Sequence, residues 1–153
     1  PNDLFLPDED HISDKSIDSP NILITSAFTQ LSFRNNFDTE FSDGIYWDGG
    51  VLEISSPNIN SGAFTDITDP AVGGNFIAGG YTGMIDDNAG NPLAGRMAWS
   101  GNSGGYITTV VNLGPNVNGQ TIKLRFRMGT DEAAGRPGWH IDTLVLTGGS
   151  CPP

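Results

Sequence analysis

The chain has 153 residues, of which 37% are hydrophobic, and this length and composition fit one well-packed core. Seven basic residues against eighteen acidic ones give a net charge of −11, which argues against nucleic acid and anionic membrane surfaces as partners. The 21 glycines and 10 prolines are spread along the chain, and no long apolar run has helical periodicity. This pattern favours many short strands joined by turns.

The predicted elements begin after an irregular N-terminal arm, residues 1–17. Strands alternate apolar and polar side chains, so each one has a buried and an exposed face. They are predicted over residues 21–25, 30–37, 50–55, 63–67, 97–100, 106–111, 121–127 and 138–146, with a glycine-rich crossover over residues 73–95. The sequence therefore predicts an all-β, two-sheet antiparallel β-sandwich with little helix over residues 18–148, followed by a C-terminal linker, residues 149–153.

The alternation also predicts the core between the two sheets. Its expected members are Phe33, Leu52, Ile54, Trp99, Ile107, Leu124, Phe126, Ile141 and Leu144.

Both chain ends suggest a domain of a larger protein. Cys151, the only cysteine, lies in a proline-rich end, where it is either a plain thiol or a bridge to a following domain. The start at Pro1, without an initiator methionine, suggests processing or excision. In the arm, the apolar residues 4–6 either add to the sheet edge of a neighbouring domain or another copy, or fold back over their own sheet.

Several motifs carry a resemblance to a known family. They include Trp99–Tyr106, Leu124–Asp131 and Gly138–Asp142. In this order they resemble the jelly-roll accessory modules of large secreted bacterial proteins. The chain is similar over residues 18–148 to the MAM-like group, which includes modules of immune-inhibitor-A-type metallopeptidases and adhesins. The resemblance implies a jelly roll, an extracellular location, and a role in adhesion, carbohydrate contact or domain support.

Acidic residues gather at the predicted strand ends. The strand over residues 30–37 is expected to run antiparallel to the last strand and to the first one, which brings many of these acids to one rim. Because carboxylates a few ångströms apart repel one another, a Ca²⁺ ion would stabilise such a rim. The alternative is that these acids cap turns or pair with arginines. The predicted calcium ligands are Asp18, Asp38, Glu40, Asp43, Asp48, Asp131 and Asp142.

Aromatic residues raise the question of a sugar site. Trp99 and Trp139 lie within strand patterns and are expected in the core. Tyr46, Trp47 and Tyr81 lie in loops and are the candidates for stacking on a sugar ring.

No catalytic motif stands out in the sequence. It contains no metalloprotease helix motif, no nucleophile elbow and no phosphate-binding loop. Glycoside cleavage is the remaining enzymatic alternative. It requires two carboxylates ~5–9.5 Å apart, and the predicted rim offers such pairs. The sequence favours a non-catalytic, calcium-stabilised accessory or adhesion module, with a carbohydrate-binding module or a self-assembling structural subunit as alternatives.

Overall fold

The computed structural model describes residues 2–150 of the chain. The predictions for Cys151 and for the end of the linker therefore lie outside the described residues. Two 3-10 turns are present, at Asn60–Gly62 and Pro115–Val117. The strands are β1 (Leu4–Leu6), β2 (Ser13–Asp18), β3 (Ile22–Ile24), β4 (Gln30–Asp38), β5 (Phe41–Ser42), β6 (Ile45–Tyr46), β7 (Gly49–Ser55), β8 (Thr65–Asp66), β9 (Asn75–Ala78), β10 (Gly83–Met84), β11 (Met97–Ala98), β12 (Ile107–Asn112), β13 (Thr121–Thr130), β14 (Gly138–Thr147) and β15 (Gly149–Ser150).

The strands form two antiparallel sheets that pack against each other, which confirms the predicted β-sandwich. The first sheet has the order β1-β14-β4-β12-β9. The second has the order β15-β3-β13-β7-β8, and β2 pairs with β13 beyond the end of β3. Two small hairpins, β5–β6 and β10–β11, stand apart from these sheets.

One of the two predicted strand pairings is present. β4 runs antiparallel to β14, with Gly138 opposite Asp38. The expected pairing of the first strand with β4 is wrong, because β3 pairs with β13 and β15 in the other sheet. This difference changes which acidic residues share an end of the sandwich.

Residues 4–18 do not form an irregular arm. β1 pairs with β14, with Leu4 opposite Ile141 and Leu6 opposite Trp139. β2 pairs with β13, and its residues alternate between half-buried and exposed, as the edge strand of a half-buried sheet does. The segment therefore folds back over its own sandwich, which was the second of the two alternatives for its apolar residues.

Most of the residues that were predicted to lie in the core are buried. Seven of the predicted members are no more than 3% exposed, and Ile107 is half-buried against them. Trp99 lies at the centre, with its ring 5.3 Å from that of Trp139 and 5.7 Å from that of Phe33. The confirmed buried residues are Phe33, Leu52, Ile54, Trp99, Leu124, Phe126 and Ile141.

The prediction that Leu144 is buried is wrong. The register of β14 on β4 shifts between Asp142 and Val145, and Thr143 has a φ of 53°. Such a bulge changes which side chains of a strand face the core. Leu144 is consequently 42% exposed, and Leu146 packs against the core instead.

Candidate metal centre

Four carboxylates from separate segments meet at one end of the sandwich. Asp8 follows β1, and Glu40 follows β4, both strands of the first sheet. Asp48 directly precedes β7, and Asp131 directly follows β13, both strands of the second sheet. We call these four residues the acidic cluster, and it joins the ends of the two sheets.

The acidic cluster is compact and shielded from solvent. One carboxylate oxygen from each of Glu40, Asp48 and Asp131 lies within 4.8 Å of the other two. The carboxyl group of Asp8 lies close enough to that of Asp48 to raise its pKa. Asp48 is fully buried, Asp131 is 5% exposed and Asp8 is 6% exposed, while Glu40 is half-buried.

Backbone amides hold one oxygen of most of these carboxylates. The N–H of Glu40 donates to Asp8 Oδ2 at 2.9 Å, and the N–H of Asp131 donates to Asp48 Oδ1 at 2.6 Å. The N–H of Ala133 donates to Asp131 Oδ1 at 3.0 Å. These bonds fix the orientation of the carboxylates and leave their other oxygens free to face one another.

Three of the remaining oxygens are buried without a hydrogen-bond donor among residues 2–150. They are Asp8 Oδ1, Glu40 Oε2 and Asp48 Oδ2. A buried polar atom without a partner is costly, and such atoms are rare in native proteins. When all four carboxylates are ionised, these oxygens therefore require a cation or a shared proton.

The position of Asp48 is set by close packing at the start of β7. A Cβ on Gly49 would lie 2.7 Å from the Trp99 carbonyl oxygen, and one on Gly50 would lie 2.4 Å from the Trp139 ring. Only glycine allows the backbone to approach the two tryptophans so closely. The Asp48 carbonyl oxygen in turn accepts a hydrogen bond from the Thr39 hydroxyl at 3.0 Å.

Asn91, in the glycine-rich crossover, stabilises the backbone around the acidic cluster through hydrogen bonds. Its side-chain amide donates to the carbonyl oxygens of Trp47 at 2.8 Å and Gly129 at 2.9 Å, next to Asp48 and near Asp131. Its Oδ1 accepts the N–H of Leu93 at 2.8 Å. The buried Asn91 therefore links the segment before β7 to the end of β13, next to Asp48 and Asp131.

Burial and mutual repulsion raise the pKa of the clustered acids. Burial, followed by the neighbouring Asp8 carboxyl, raises the pKa of Asp48 to about 9. Burial and the charge of Asp131 raise the pKa of Glu40 to about 7. The pKa of Asp8 is raised as well, mainly by burial. Near neutral pH and without a cation, the cluster therefore holds protons that carboxyls in water would have lost.

Three of the seven predicted metal ligands are brought together: Glu40, Asp48 and Asp131. Asp18 is not with them, because β2 pairs with β13 and places Asp18 opposite Arg125. The Arg125 guanidinium binds both carboxylate oxygens of Asp18, at 2.7 and 2.8 Å. For Asp18 the alternative of pairing with an arginine is therefore what the structure shows.

The other three predicted ligands lie apart from the cluster. Asp38 is on the outer face of β4 and forms a bridge with Asn102. Asp43 is exposed in the β5–β6 turn, with a φ of 53°. Asp142 is exposed on β14, where its Oδ1 accepts the N–H of Thr143 at 2.6 Å.

Sequence reasoning missed Asp8 and Asn91. Asp8 lies in the segment that was expected to be an irregular arm, and Asn91 lies in the predicted glycine-rich crossover, to which no function was assigned. The pairing of β1 with β14 brings Asp8 to the strand ends, and no local motif marks that long-range contact.

The predicted sugar-stacking residues divide into two groups. The Tyr46 ring is half-buried against Phe41 at 4.7 Å, and Trp47 Nε1 donates to Ser42 Oγ at 2.9 Å. Tyr81 packs 4.8 Å from the Trp99 ring, and its hydroxyl donates to Asp66 at 3.0 Å. Tyr81 therefore belongs to the core packing and does not present its ring to a ligand.

No protein-family model matches this sequence, and no curated protein sequence matches it either. Residues 2–150 include no helix with the length and apolar character needed to span a membrane. The functional argument therefore depends on the geometry of the acidic cluster.

Proposed function

We propose that this chain is a non-catalytic β-sandwich module stabilised by a Ca²⁺ ion, which serves as an extracellular accessory or adhesion module of a larger secreted protein. The observation that carries the calcium part is the set of buried carboxylate oxygens without donors: Asp8 Oδ1, Glu40 Oε2 and Asp48 Oδ2. Asp131 supplies a fourth carboxylate close to them.

The chemistry of these ligands favours Ca²⁺ over other cations. All candidate ligand atoms are hard carboxylate oxygens, which suit Ca²⁺, Mg²⁺ or Mn²⁺ rather than Zn²⁺ or copper. Mg²⁺ usually keeps several waters, whereas Ca²⁺ accepts ~6–8 oxygens in an irregular arrangement. A fully buried Asp48 leaves little room for retained waters.

A bound cation would give the module a structural role. Each of the two sheets contributes two of the four ligands, so the ion would hold their ends together. The surface charge of −11 and the scarcity of lysine and arginine fit a protein that works outside the cell, where calcium is abundant. Support of neighbouring domains or contact with a protein or cell surface is the function that we propose for such a module.

Thermal unfolding with and without a calcium chelator tests the calcium part. A ligand that binds only the native state at a thousandfold excess over its Kd stabilises by about 4 kcal/mol, so we expect a clear rise in the unfolding midpoint with Ca²⁺. Mg²⁺ at the same concentration is the matched control and should give a smaller shift. An unchanged midpoint with Ca²⁺ would contradict the proposal.

A further inference from the structure

A second polar site lies on the outer face of the first sheet, beside the end that carries the acidic cluster. It is a cleft of about 230 Å³ where β4 and β14 meet the loop after β11. Its lining is almost entirely polar or backbone, and consists of Asn36, Asp38, Asn102, Pro137, Gly138 and His140.

Two amide side chains in this cleft are held in one orientation by hydrogen bonds to their oxygens and keep free N–H donors. Asn36 Oδ1 accepts the Ser103 hydroxyl at 3.1 Å, and Asn102 Oδ1 accepts the N–H of Gly104 at 2.7 Å. Within residues 2–150, these bonds occupy the amide oxygens and leave both NH₂ groups without an acceptor. The cleft therefore presents two fixed hydrogen-bond donors.

An acceptor lies beside these donors. The half-buried Asp38 makes no side-chain hydrogen bond or ion pair with any other described residue. It sits between the two amides, since its own backbone bridges Asn102 and Asn36 precedes it by two residues on the same face of β4. A carboxylate flanked by two amide donors can bind adjacent hydroxyl groups, because each hydroxyl both donates and accepts.

His140 is held in place by the N-terminal segment. Its Nδ1 is 2.6 Å from Asp3 Oδ2, which also accepts the Tyr106 hydroxyl at 3.1 Å. The Phe5 ring stacks on the imidazole at 4.5 Å and is itself 44% exposed. The imidazole is thus fixed by Asp3, with Nε2 available, and an apolar ring lies next to it.

The size and charge of the site limit the kinds of ligand that it can bind. Drug-sized ligands occupy pockets of about 300–1,000 Å³, so a cleft of about 230 Å³ suits a smaller group, such as one sugar ring. The chain's net charge of −11, together with Asp3 and Asp38 at the site, would repel an anion. A neutral, hydroxyl-rich ring matches both restrictions.

A neighbouring cleft offers room for more of the same ligand. It has a volume of about 390 Å³, and Asn102 lines it as well. Its wall includes the aromatic rings of Phe41 and Tyr46, and Phe41 is 41% exposed. Aromatic faces of this kind pack against the apolar side of a sugar ring.

We propose that the polar cleft binds one ring of a neutral glycan, with Asp38 accepting from its hydroxyls, Asn36 and Asn102 donating to them, and a second ring packing against Phe41. This site does not depend on the calcium proposal, because none of its four polar side chains belongs to the acidic cluster. In this proposal the sugar contacts neither Trp47 nor Tyr81. Asp38, which the sequence predicted as a metal ligand, binds the sugar instead.

A glycan array with the intact chain, followed by NMR titration with the best neutral oligosaccharide and its component monosaccharides, tests this proposal. We expect the side-chain NH₂ signals of Asn36 and Asn102 to shift. We expect Asn36→Ala and Asn102→Ala each to weaken binding about tenfold or more, because each leaves a sugar hydroxyl unpaired. Phe41→Ala should weaken the oligosaccharide more than the monosaccharide.

Thr108→Ala, an exposed change on β12 of the same sheet, is the matched control and should leave binding unchanged. The calcium-induced shift of each variant's unfolding midpoint reports whether the metal centre is intact, so the two proposals fail separately. An array on which only charged glycans bind, or no glycan at all, would overturn the sugar proposal. Binding that survives both asparagine changes would overturn it as well.

Discussion

Two groups of buried acidic residues balance their charge in different ways. Beside β7, Arg96 donates to Glu53 at 2.7 Å and to Asp66 at 2.9 Å. Arg127 lies 3.4 Å from the same oxygen of Glu53, so this group contains its own counter-ions. In the acidic cluster no arginine or lysine forms an ion pair with Glu40, Asp48 or the other two members, within residues 2–150.

The difference indicates which of the two groups requires a counter-ion from outside the chain. Glu53 keeps one oxygen without a donor, yet its other oxygen contacts two guanidinium groups, so the chain itself supplies its counter-ions. The acidic cluster has three such oxygens, and the charge of Arg136 lowers the pKa of Glu40 without forming an ion pair among the described residues, so most of the cluster's charge must be balanced from outside the chain. We therefore expect calcium to act on the acidic cluster and to leave the Glu53 group unaffected.

The largest effect is expected for Asp48→Asn. In the presence of Ca²⁺ this change should remove most of the stabilisation that we expect from the metal, about 4 kcal/mol, since Asp48 is the fully buried member of the acidic cluster. In chelator at neutral pH it should instead stabilise the protein by about 2 kcal/mol, because asparagine avoids the cost of protonating Asp48 on folding and can donate to Asp8. Urea unfolding with and without Ca²⁺ measures both effects. A loss of stability in chelator would contradict this account of the cluster.

Arg96→Ala probes the other group. It leaves the buried Glu53 with only the longer contact to Arg127, and removing one partner of a buried ion pair costs about 3 kcal/mol or more. The loss should be the same with Ca²⁺ and in chelator. The double variant Glu53→Gln with Arg96→Ala should recover part of it. A loss that depends on calcium would show that the two groups are coupled.

The pH dependence of stability tests the acidic cluster without mutation. In chelator, Glu40 and Asp48 have folded pKa values of about 7 and about 9, above their usual 4.5 and 3.8. The folded state then binds more protons than the unfolded state, so stability should fall as the pH rises from about 4 towards 9. With Ca²⁺ bound, this loss should largely disappear, since the metal requires the ionised form. Chemical unfolding at several pH values gives the comparison.

Two partly exposed acids of β2, Asp14 and Asp18, should respond to pH in the opposite direction from the acidic cluster. Hydrogen bonds from Arg127 and Arg125 lower the pKa of Asp14 and Asp18, respectively. Their contribution is therefore present above about pH 4 and is lost as the pH falls below it. A stability that rises between pH 5 and pH 9 in chelator would contradict the raised pKa values of the cluster.

Part of this contrast was accessible from the sequence. Strand alternation located Phe33 and Phe126 in the core, and the rule that acids at strand ends share a rim brought Glu40, Asp48 and Asp131 together. The core prediction is confirmed because side-chain direction along a strand has a period of two residues, whereas the calcium site remains a prediction.

The remaining errors have a common physical cause. The chain pairs β2 with β13 and β1 with β14 across more than a hundred residues of sequence, and no local pattern encodes which strand is the neighbour. Asp18 was consequently assigned to the rim, and Asp8 was not. Leu144 was misplaced for a local reason, the bulge in β14.

Asp18→Asn should have the smallest effect. The Asp18–Arg125 pair is partly exposed, and such pairs contribute about 0.2–1 kcal/mol. The change should leave the calcium-induced shift intact, which makes it the matched control for Asp48→Asn. A reduced calcium shift in this variant would return Asp18 to the metal site.

Direct calcium binding tests the central claim most directly. Equilibrium dialysis of the chelator-treated chain against radioactive Ca²⁺ should show saturation at one ion per chain at pH 8 and weaker binding at pH 5, where the raised pKa values of Asp48 and Glu40 keep protons on the cluster. Asp48→Asn should abolish this binding, and Asp18→Asn should preserve it. Absence of saturable binding at pH 8, or equal binding by the Asp48→Asn variant, would contradict the account.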